Sequence, residues 1–368
     1  MSDRLPMQEL ADAGQSVWLD YIRRDLMETG ELDAMIDAGL RGMTSNPSIF
    51  EKAIGGSDLY DEAIATLLAE RPDATAVEIF ESLAIDDIRA ACDAFARVYE
   101  ETSGADGFVS LEVAPDLAHD TETTISEAKR LWAAVDRPNL MIKVPATPEG
   151  LPAITELIAS GVNVNVTLIF SLAHYEAVAN AFIAGIEQNA APHEVASVAS
   201  VFISRIDSAV DKLLDEEGSG AALALRGEIA VANCKVVYAL SEELFGDDFE
   251  AIWGRGVRPQ RPLWASTSTK DPDYSDVKYV EELVGEGTVN TVPPATLDAF
   301  EDHGVATPGA VAEGLAEARS AIAALSGLGV DLDAVCDELR AKGVTAFVDA
   351  FDGMLSAIDE KKARLLGA

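Results

Sequence analysis

The chain has few cysteines, few basic residues and no long uncharged segment that fits a membrane, and each shortage argues against a class of protein. Cys92, Cys234 and Cys336 are its only cysteines among 368 residues. They lie far apart in helical patterns, so neither a disulfide framework nor a metal-ligand spacing is visible, and a reducing compartment is expected. Lys and Arg number 27 against 64 Asp and Glu, a net charge of −37. Such a surface repels DNA, RNA and anionic membranes, so no nucleic-acid or membrane partner is expected.

Signals for export or membrane insertion are also missing. The N-terminal residues carry acidic side chains and no apolar core segment, so we expect no signal peptide. The longest uncharged stretch, residues 157–175, carries polar residues at alternate positions. This pattern predicts a helix end, a buried strand and a helix start rather than a transmembrane segment. We therefore expect a cytoplasmic protein.

Short β-branched runs alternate with long helical patterns along the whole chain. The eight predicted strands span residues 16–21, 42–45, 107–113, 140–144, 162–169, 195–203, 262–266 and 288–292. Strand followed by helix, repeated eight times, is typical of the α/β fold known as the (β/α)8 or TIM barrel. A doubly wound open sheet is the alternative, but no Gly-rich dinucleotide-binding turn follows the first strand.

The helical patterns exceed what a bare barrel needs. They span residues 57–69, 76–101, 121–134, 148–159, 172–190, 206–214 and 222–245, so two helices precede the third strand. Residues 308–368 form a helical tail, for which we predict breaks at Gly327 and Gly343. Because no Pro, Ser or Gly-rich linker precedes the tail, we predict one domain over residues 1–368, with the tail packed on the barrel.

One lysine stands on a strand that is otherwise apolar. Lys143 lies in Leu140-Met141-Ile142-Lys143-Val144-Pro145, which predicts a short buried strand. Loss of hydration disfavours the charged form of a lysine, which leaves the amine nucleophilic and able to form a Schiff base. The alternative is a lysine that reaches water at the strand end or pairs with a carboxylate.

Polar residues collect at the C-terminal ends of the other strands, where the active site of such a barrel lies. They are Asp20 on strand one, Asn46 after strand two, Glu112 on strand three, Asn165 and Thr167 on strand five, and Ser200 on strand six, with Phe202 and Arg205 close behind. Any one of them could be an ordinary cap or strand residue. Together around a lysine, the two carboxylates and the neutral hydrogen-bonding groups suit a polyhydroxylated carbonyl substrate.

Several segments in this order resemble the transaldolase family, and the resemblance covers nearly the whole chain. They are Thr44-Ser45-Asn46-Pro47-Ser48, Ser110-Leu111-Glu112-Val113, Ile142-Lys143-Val144-Pro145-Ala146-Thr147, Asn165-Val166-Thr167-Leu168-Ile169-Phe170-Ser171 and Trp264-Ala265-Ser266-Thr267-Ser268-Thr269-Lys270. The resemblance implies transfer of a dihydroxyacetone unit from sedoheptulose 7-phosphate to glyceraldehyde 3-phosphate, giving erythrose 4-phosphate and fructose 6-phosphate. It implies a lysine Schiff base and neither a metal nor an organic cofactor.

The resemblance also assigns roles to the residues of the reacting centre. Lys143 matches the position that forms the Schiff base, and Asp20 matches the aspartate that deprotonates the C4 hydroxyl of the substrate. Glu112 and Thr167 match the pair that positions a proton-shuttling water. Asn46 and Asn165 match the asparagines that bind the three-carbon unit.

The phosphate site follows the family pattern less closely. Ser200 and Arg205 match the serine and arginine after strand six, and Phe202 lies between them. The family's second arginine, after strand seven, is replaced here by Lys270. A lysine attracts phosphate as a point charge rather than as a two-pronged donor.

Three matters stay open at this point. A related lysine aldolase would release free dihydroxyacetone instead of transferring it, and a catalytically silent barrel would serve protein binding. Phe347 and Phe351 of the tail either cover the barrel mouth or form an ordinary packing pair at i, i+4 spacing. The oligomeric state, including self-association, is not determined by the sequence.

Overall fold

The computed structural model describes residues 5–246, 249, 254 and 256–367. Within them the strands close into a parallel barrel in sequence order. They are β1 (Gln15–Asp20), β2 (Gly42–Thr44), β3 (Phe108–Glu112), β4 (Leu140–Pro145), β5 (Val164–Ile169), β6 (Ser197–Phe202), β7 (Arg261–Ala265) and β8 (Thr288–Val292). The predicted barrel is confirmed, and the strand ends differ from the prediction by one or two residues at most. Strands β4, β5 and β6 are buried along their whole length, as expected for a parallel sheet covered by helices.

Sixteen α-helices surround and cover the barrel in the described part of the chain. They are α1 (Pro6–Asp12), α2 (Arg24–Glu28), α3 (Glu31–Ala38), α4 (Pro47–Phe50), α5 (Asp61–Glu70), α6 (Ala76–Glu101), α7 (Thr121–Val135), α8 (Gly150–Ala159), α9 (Leu172–Gln188), α10 (Ser204–Glu217), α11 (Gly220–Leu223), α12 (Ile229–Phe245), α13 (Lys278–Glu281), α14 (Pro294–His303), α15 (Leu315–Gly327) and α16 (Leu332–Leu366). A π-helical turn, Glu51–Gly55, follows α4, and 3₁₀ turns span Pro115–His119 and Pro192–Glu194. Two full helices, α5 and α6, precede β3 as predicted.

The single helix predicted over residues 222–245 is wrong. The structure has the short helix α11, a turn, and then α12 from Ile229. Gly227 in the turn has φ +71°, and a Cβ there would lie 2.7 Å from the ring of Tyr274. The helical pattern breaks because the chain needs both a left-handed residue and a close approach at this point.

The predicted break at Gly327 is confirmed, but the break predicted at Gly343 is wrong. Helix α16 runs through Gly343 without interruption for 35 residues. A Cβ at residue 343 would lie 2.8 Å from the Cδ2 atom of Leu168 at the end of β5. The glycine therefore serves a close approach between the helix and the barrel rather than a helix end.

Helix α16 is held near both of its ends by polar contacts with the segments that surround the barrel strands. Near its start, Asp337 lies 2.9 Å from Nε2 of the buried His174 of α9. Near its end, the buried Lys361 ammonium lies 2.6 Å from Asp61 and donates to the carbonyl of Ser57. The helix thus crosses the C-terminal ends of the strands as a fixed cover.

Neither a membrane-spanning helix nor a metal-binding cluster occurs among the described residues. No helix in this part of the chain is long and apolar enough to cross a membrane. No three His, Cys, Asp or Glu side chains of the described ranges are grouped so that they could hold a metal ion.

Candidate active site

Three of the predicted residues form one row across the barrel. Glu112 of β3 is in register with Lys143 of β4, which is in register with Asn165 of β5. The Lys143 ammonium lies 3.3 Å from the Glu112 carboxylate and donates a hydrogen bond of 3.0 Å to the carbonyl of Ser45. Both side chains of the ion pair are only 6% exposed. The lysine does not reach out to bulk water; it is buried beside a carboxylate.

A cavity of about 570 Å³ opens above this row at the C-terminal ends of the strands. This is a volume typical of small-ligand sites. The predicted residues that line it are Asp20, Asn46, Lys143, Asn165, Thr167, Ser200, Phe202, Arg205 and Lys270. Glu112 does not line it; its carboxylate lies behind Lys143 and borders a small apolar cavity beside α6. All ten predicted residues are therefore brought to the mouth of the barrel.

Asp20 is held by hydroxyl groups. Thr44, its register partner on β2, donates a hydrogen bond of 2.7 Å to the Asp20 carboxylate, and the Thr44 hydroxyl lies 2.7 Å from that of Thr291. Desolvation in the barrel raises the pKa of Asp20, although the Lys143 charge and the Thr44 hydrogen bond oppose this. The carboxylate is thus oriented toward the cavity with an increased affinity for a proton. Neither threonine was among the residues predicted for the site, although Thr44 opens one of the family motifs.

Glu112 and Thr167 share a feature that suits proton transfer. Burial raises the pKa of Glu112, and the Lys143 ammonium opposes it. Within the described residues, the Glu112 Oε2 and Thr167 Oγ atoms are buried and form no hydrogen bond, although Oε2 lies within ion-pair distance of Lys143. Buried polar atoms without hydrogen-bond partners are rare and call for an explanation, such as a bound water or a substrate.

The asparagines are fixed in different ways. The side-chain oxygen of Asn46 caps α4 by accepting from the amide of Ile49, which leaves its NH₂ group without a partner in the described structure. Asn165 donates to the Ser110 hydroxyl at 3.0 Å and accepts from the Ser200 hydroxyl at 2.7 Å. Ser200, expected as a phosphate ligand, therefore uses its proton to orient Asn165.

Three basic side chains also line the cavity. The Arg205 guanidinium lies 5.3 Å from the ring centre of Phe202, and burial lowers its pKa. Burial together with the charges of Arg205 and Lys52 lowers the pKa of Lys270. Lys52 also lines the cavity and was not predicted, because a single lysine outside the recognised motifs carries no distinguishing signal.

The backbone is strained where β5 and β7 end at the site. Leu168 has φ +59° and Ser266 has φ +57°, values that residues other than glycine rarely adopt. The pairing of β5 with β6 is irregular between Val166 and Ile169, around Thr167 and Leu168. Such strain is often found where a fold aims side chains at a functional site.

The two tail phenylalanines behave differently. The Phe347 ring centre lies 5.9 Å from the Lys143 ammonium, and the residue lines the cavity. Phe351, one turn later, packs edge-on against Phe80 at 5.6 Å and does not line it. Phe347 thus covers the barrel mouth, and Phe351 is an ordinary packing residue.

Comparison with known proteins shows what the chain is similar to. The family described as "Transaldolase/Fructose-6-phosphate aldolase" matches residues 17–358. A transaldolase of Frankia alni is 47% identical over 365 residues, covering 98% of each chain. A transaldolase of Trichodesmium erythraeum is 45% identical over 373 residues, covering 97% of each. Transaldolase 1 of Streptomyces coelicolor is 48% identical over 358 residues, covering 96% of this chain and 93% of its own.

These matches extend over nearly the full length of both partners, and the barrel, the lysine and its neighbours occur in the expected order. The resemblance seen in the sequence motifs is thereby confirmed, and with it a transaldolase-type enzyme. The chain belongs to the transaldolase/fructose-6-phosphate aldolase family.

Proposed function

We propose that the chain transfers a dihydroxyacetone unit from a ketose phosphate to an aldose phosphate through a Schiff base on Lys143. The donor and acceptor pair would be sedoheptulose 7-phosphate and glyceraldehyde 3-phosphate, and the reaction would run in both directions. The observation that carries the proposal is the buried Lys143 ammonium, 3.3 Å from Glu112 and facing a cavity of about 570 Å³.

Imine formation begins when Lys143 loses a proton. Glu112 is the nearest acceptor, and its raised pKa favours taking that proton. The neutral amine attacks the ketose carbonyl, and the carbinolamine loses its hydroxyl as water once a proton is supplied. A water held between Glu112 and Thr167 would donate to the Glu112 Oε2 and Thr167 Oγ atoms, which form no hydrogen bond within the described residues, and would carry that proton.

Carbon–carbon cleavage then needs a base on the opposite side of the cavity. Asp20 takes the proton of the C4 hydroxyl, the C3–C4 bond breaks, and its electron pair moves toward the iminium to give an enamine. The raised pKa of Asp20 strengthens it as a proton acceptor while Thr44 keeps it oriented. The first aldose phosphate leaves, and the reverse steps with a second aldehyde complete the transfer.

The enamine must be held away from water between the two half-reactions. Phe347 covers Lys143, while Asn46 and Asn165 offer amide groups to the three-carbon unit. Arg205 and Lys270 are the groups suited to the phosphate at the far end of the cavity.

The test is an acceptor-dependence assay. With fructose 6-phosphate as donor, we expect product only when erythrose 4-phosphate is added, with sedoheptulose 7-phosphate and glyceraldehyde 3-phosphate formed in equal amounts. Turnover of the donor alone, with release of free dihydroxyacetone, would instead support the aldolase that shares the family description. Absence of both reactions in folded protein would support a silent barrel that binds other proteins.

Three further expectations accompany the proposal. We propose that the chain folds as one domain over residues 1–368, with residues 308–368 as a tail that packs on the barrel. We propose action in the cytoplasm, without nucleic-acid or membrane partners and without a cofactor. Gel filtration with light scattering will determine whether the protein self-associates.

A further inference from the structure

Lys52 is placed at the cavity by the way its short segment packs. The π-helical turn Glu51–Gly55 buries Ala53 and Ile54 in the core. Glu51 lies against Gly353 of α16, and Gly55 lies against Ala357 of the same helix. These contacts hold the residues on either side of Lys52 in place. The exposed side chain of Lys52 lines the cavity. Single π-helical turns are often found at functional sites.

Lys52 approaches from a different side of the barrel than the other cations of the cavity. It follows β2, whereas Arg205 follows β6 and Lys270 follows β7. In a closed barrel of eight sequential strands, β2 and β6 lie opposite each other. Lys52 therefore faces Arg205 and Lys270 from across the mouth. Its positive charge contributes to the lowered pKa of Lys270.

None of these three cations is neutralised by the protein. In the described part of the chain, neither Lys52, Arg205 nor Lys270 forms an ion pair with a carboxylate. This occurs on a protein with 64 acidic residues, where many exposed cations do find a partner. Like charges that converge without counter-ions repel each other, and a bound dianion relieves that repulsion.

We propose that Lys52 is a third cationic ligand of the substrate phosphate, completing with Arg205 and Lys270 a clamp that determines the preference for phosphorylated sugars. The inference rests on the proposed function and extends it. Lys270 supplies a point charge and not the two-pronged contact of an arginine, and Lys52 supplies a further charge from across the cavity.

The experiment compares Lys52→Ala with Lys52→Arg and a surface control. Lys129→Ala removes the same charge from an exposed ion pair with Glu156 on the outer helices. Fructose 6-phosphate serves as donor and unphosphorylated D-erythrose as acceptor, so that only the donor carries phosphate and sedoheptulose is the product measured. Inorganic phosphate is titrated as a competitive inhibitor, and unphosphorylated fructose is the second donor.

For Lys52→Ala we expect KM for fructose 6-phosphate and the inhibition constant of phosphate to rise about tenfold, with kcat nearly unchanged. Turnover of fructose should not change. Lys52→Arg should restore most of the loss, and Lys129→Ala should behave as the unmodified protein. An unchanged KM, or an equal loss with both donors, would overturn the inference.

Borohydride trapping with dihydroxyacetone, which carries no phosphate, separates this inference from the proposed function. Trapping in every variant combined with an unchanged KM in Lys52→Ala would reject the role of Lys52 alone. Failure of the unmodified protein to trap dihydroxyacetone would reject the Schiff-base function itself.

Discussion

Replacement of Gly343 by alanine tests how closely α16 must approach the barrel. The added Cβ would lie 2.8 Å from Cδ2 and 3.4 Å from Cδ1 of Leu168, and 3.6 Å from a guanidinium nitrogen of Arg205. Leu168 is fully buried on a backbone with φ +59°, so its side chain has little room to move away. The helix must shift outward or Leu168 must leave its preferred rotamer.

The magnitude follows from two opposing terms. Glycine to alanine inside a helix stabilises by roughly 0.5–1 kcal/mol, whereas overpacking a core costs roughly 1–3 kcal/mol. The net expectation for Gly343→Ala is a loss of stability of roughly 0–2.5 kcal/mol. In Gly353→Ala, on the same helix, the new Cβ meets only the end of the Glu51 side chain at 2.7 Å, which can rotate away. That variant should gain roughly 0.5–1 kcal/mol from helix propensity.

Urea unfolding midpoints and transfer rates of the two variants provide the assay. Gly343→Ala should unfold at lower urea than Gly353→Ala and should lose activity, because a shifted α16 displaces Phe347 from Lys143 and disturbs Arg205. Gly353→Ala should keep its activity. Stabilisation of Gly343→Ala to the same extent as Gly353→Ala, with full kcat/KM, would refute the need for this close approach.

Three further outcomes are expected. Asp20→Asn should lower kcat by about 10²–10⁴-fold while borohydride trapping persists, and loss of trapping in folded protein would show that Asp20 has another role. Phe347→Ala should raise turnover of donor alone relative to transfer, whereas Phe351→Ala should cost roughly 1–3 kcal/mol of stability and leave that ratio unchanged. Burial raises the pKa of Asp207 to about 6, so this carboxyl favours folding at low pH and the benefit is lost as pH rises through that value. As pH rises from roughly 4 to 8, the free energy of unfolding of Asp207→Asn should therefore increase by about 2 kcal/mol relative to that of the unmodified protein. A pH-independent difference in urea midpoints between the two proteins would contradict this.

The barrel and the grouping of the candidate site residues could be predicted because they follow local patterns. Each strand is an apolar run bounded by turn residues, and parallel strands buried on both faces keep that pattern. The C-terminal ends of such strands meet at one mouth, so the amino-acid sequence is enough to group Asp20, Glu112, Lys143 and Thr167. The register of β3, β4 and β5 then places three site residues in one row.

The features that were missed depend on contacts between distant parts of the chain. From the sequence alone, Gly343 predicts a helix break, because local propensity does not show that Leu168 packs closely against the helix at this position. The turn around Gly227 is set by Tyr274, 47 positions later in the sequence. Lys52 resembles any solvated lysine until the packing of its π-helical turn directs it into the cavity.

Ser200 shows that a correct position does not fix a role. The sequence motif placed it at the mouth, and the structure puts it there. Its hydroxyl donates to Asn165 on the neighbouring strand and so holds the amide of Asn165 in one orientation. The partner of a hydroxyl depends on geometry within a few ångströms, which no residue pattern specifies.

Borohydride trapping with fructose 6-phosphate, followed by peptide mass mapping, tests the central claim most directly. We predict a single adduct on Lys143 and no adduct in Lys143→Met, because this lysine is buried beside Glu112 and faces the cavity. An adduct on Lys235 or Lys270, or no adduct in an active enzyme, would contradict the Schiff-base role of Lys143.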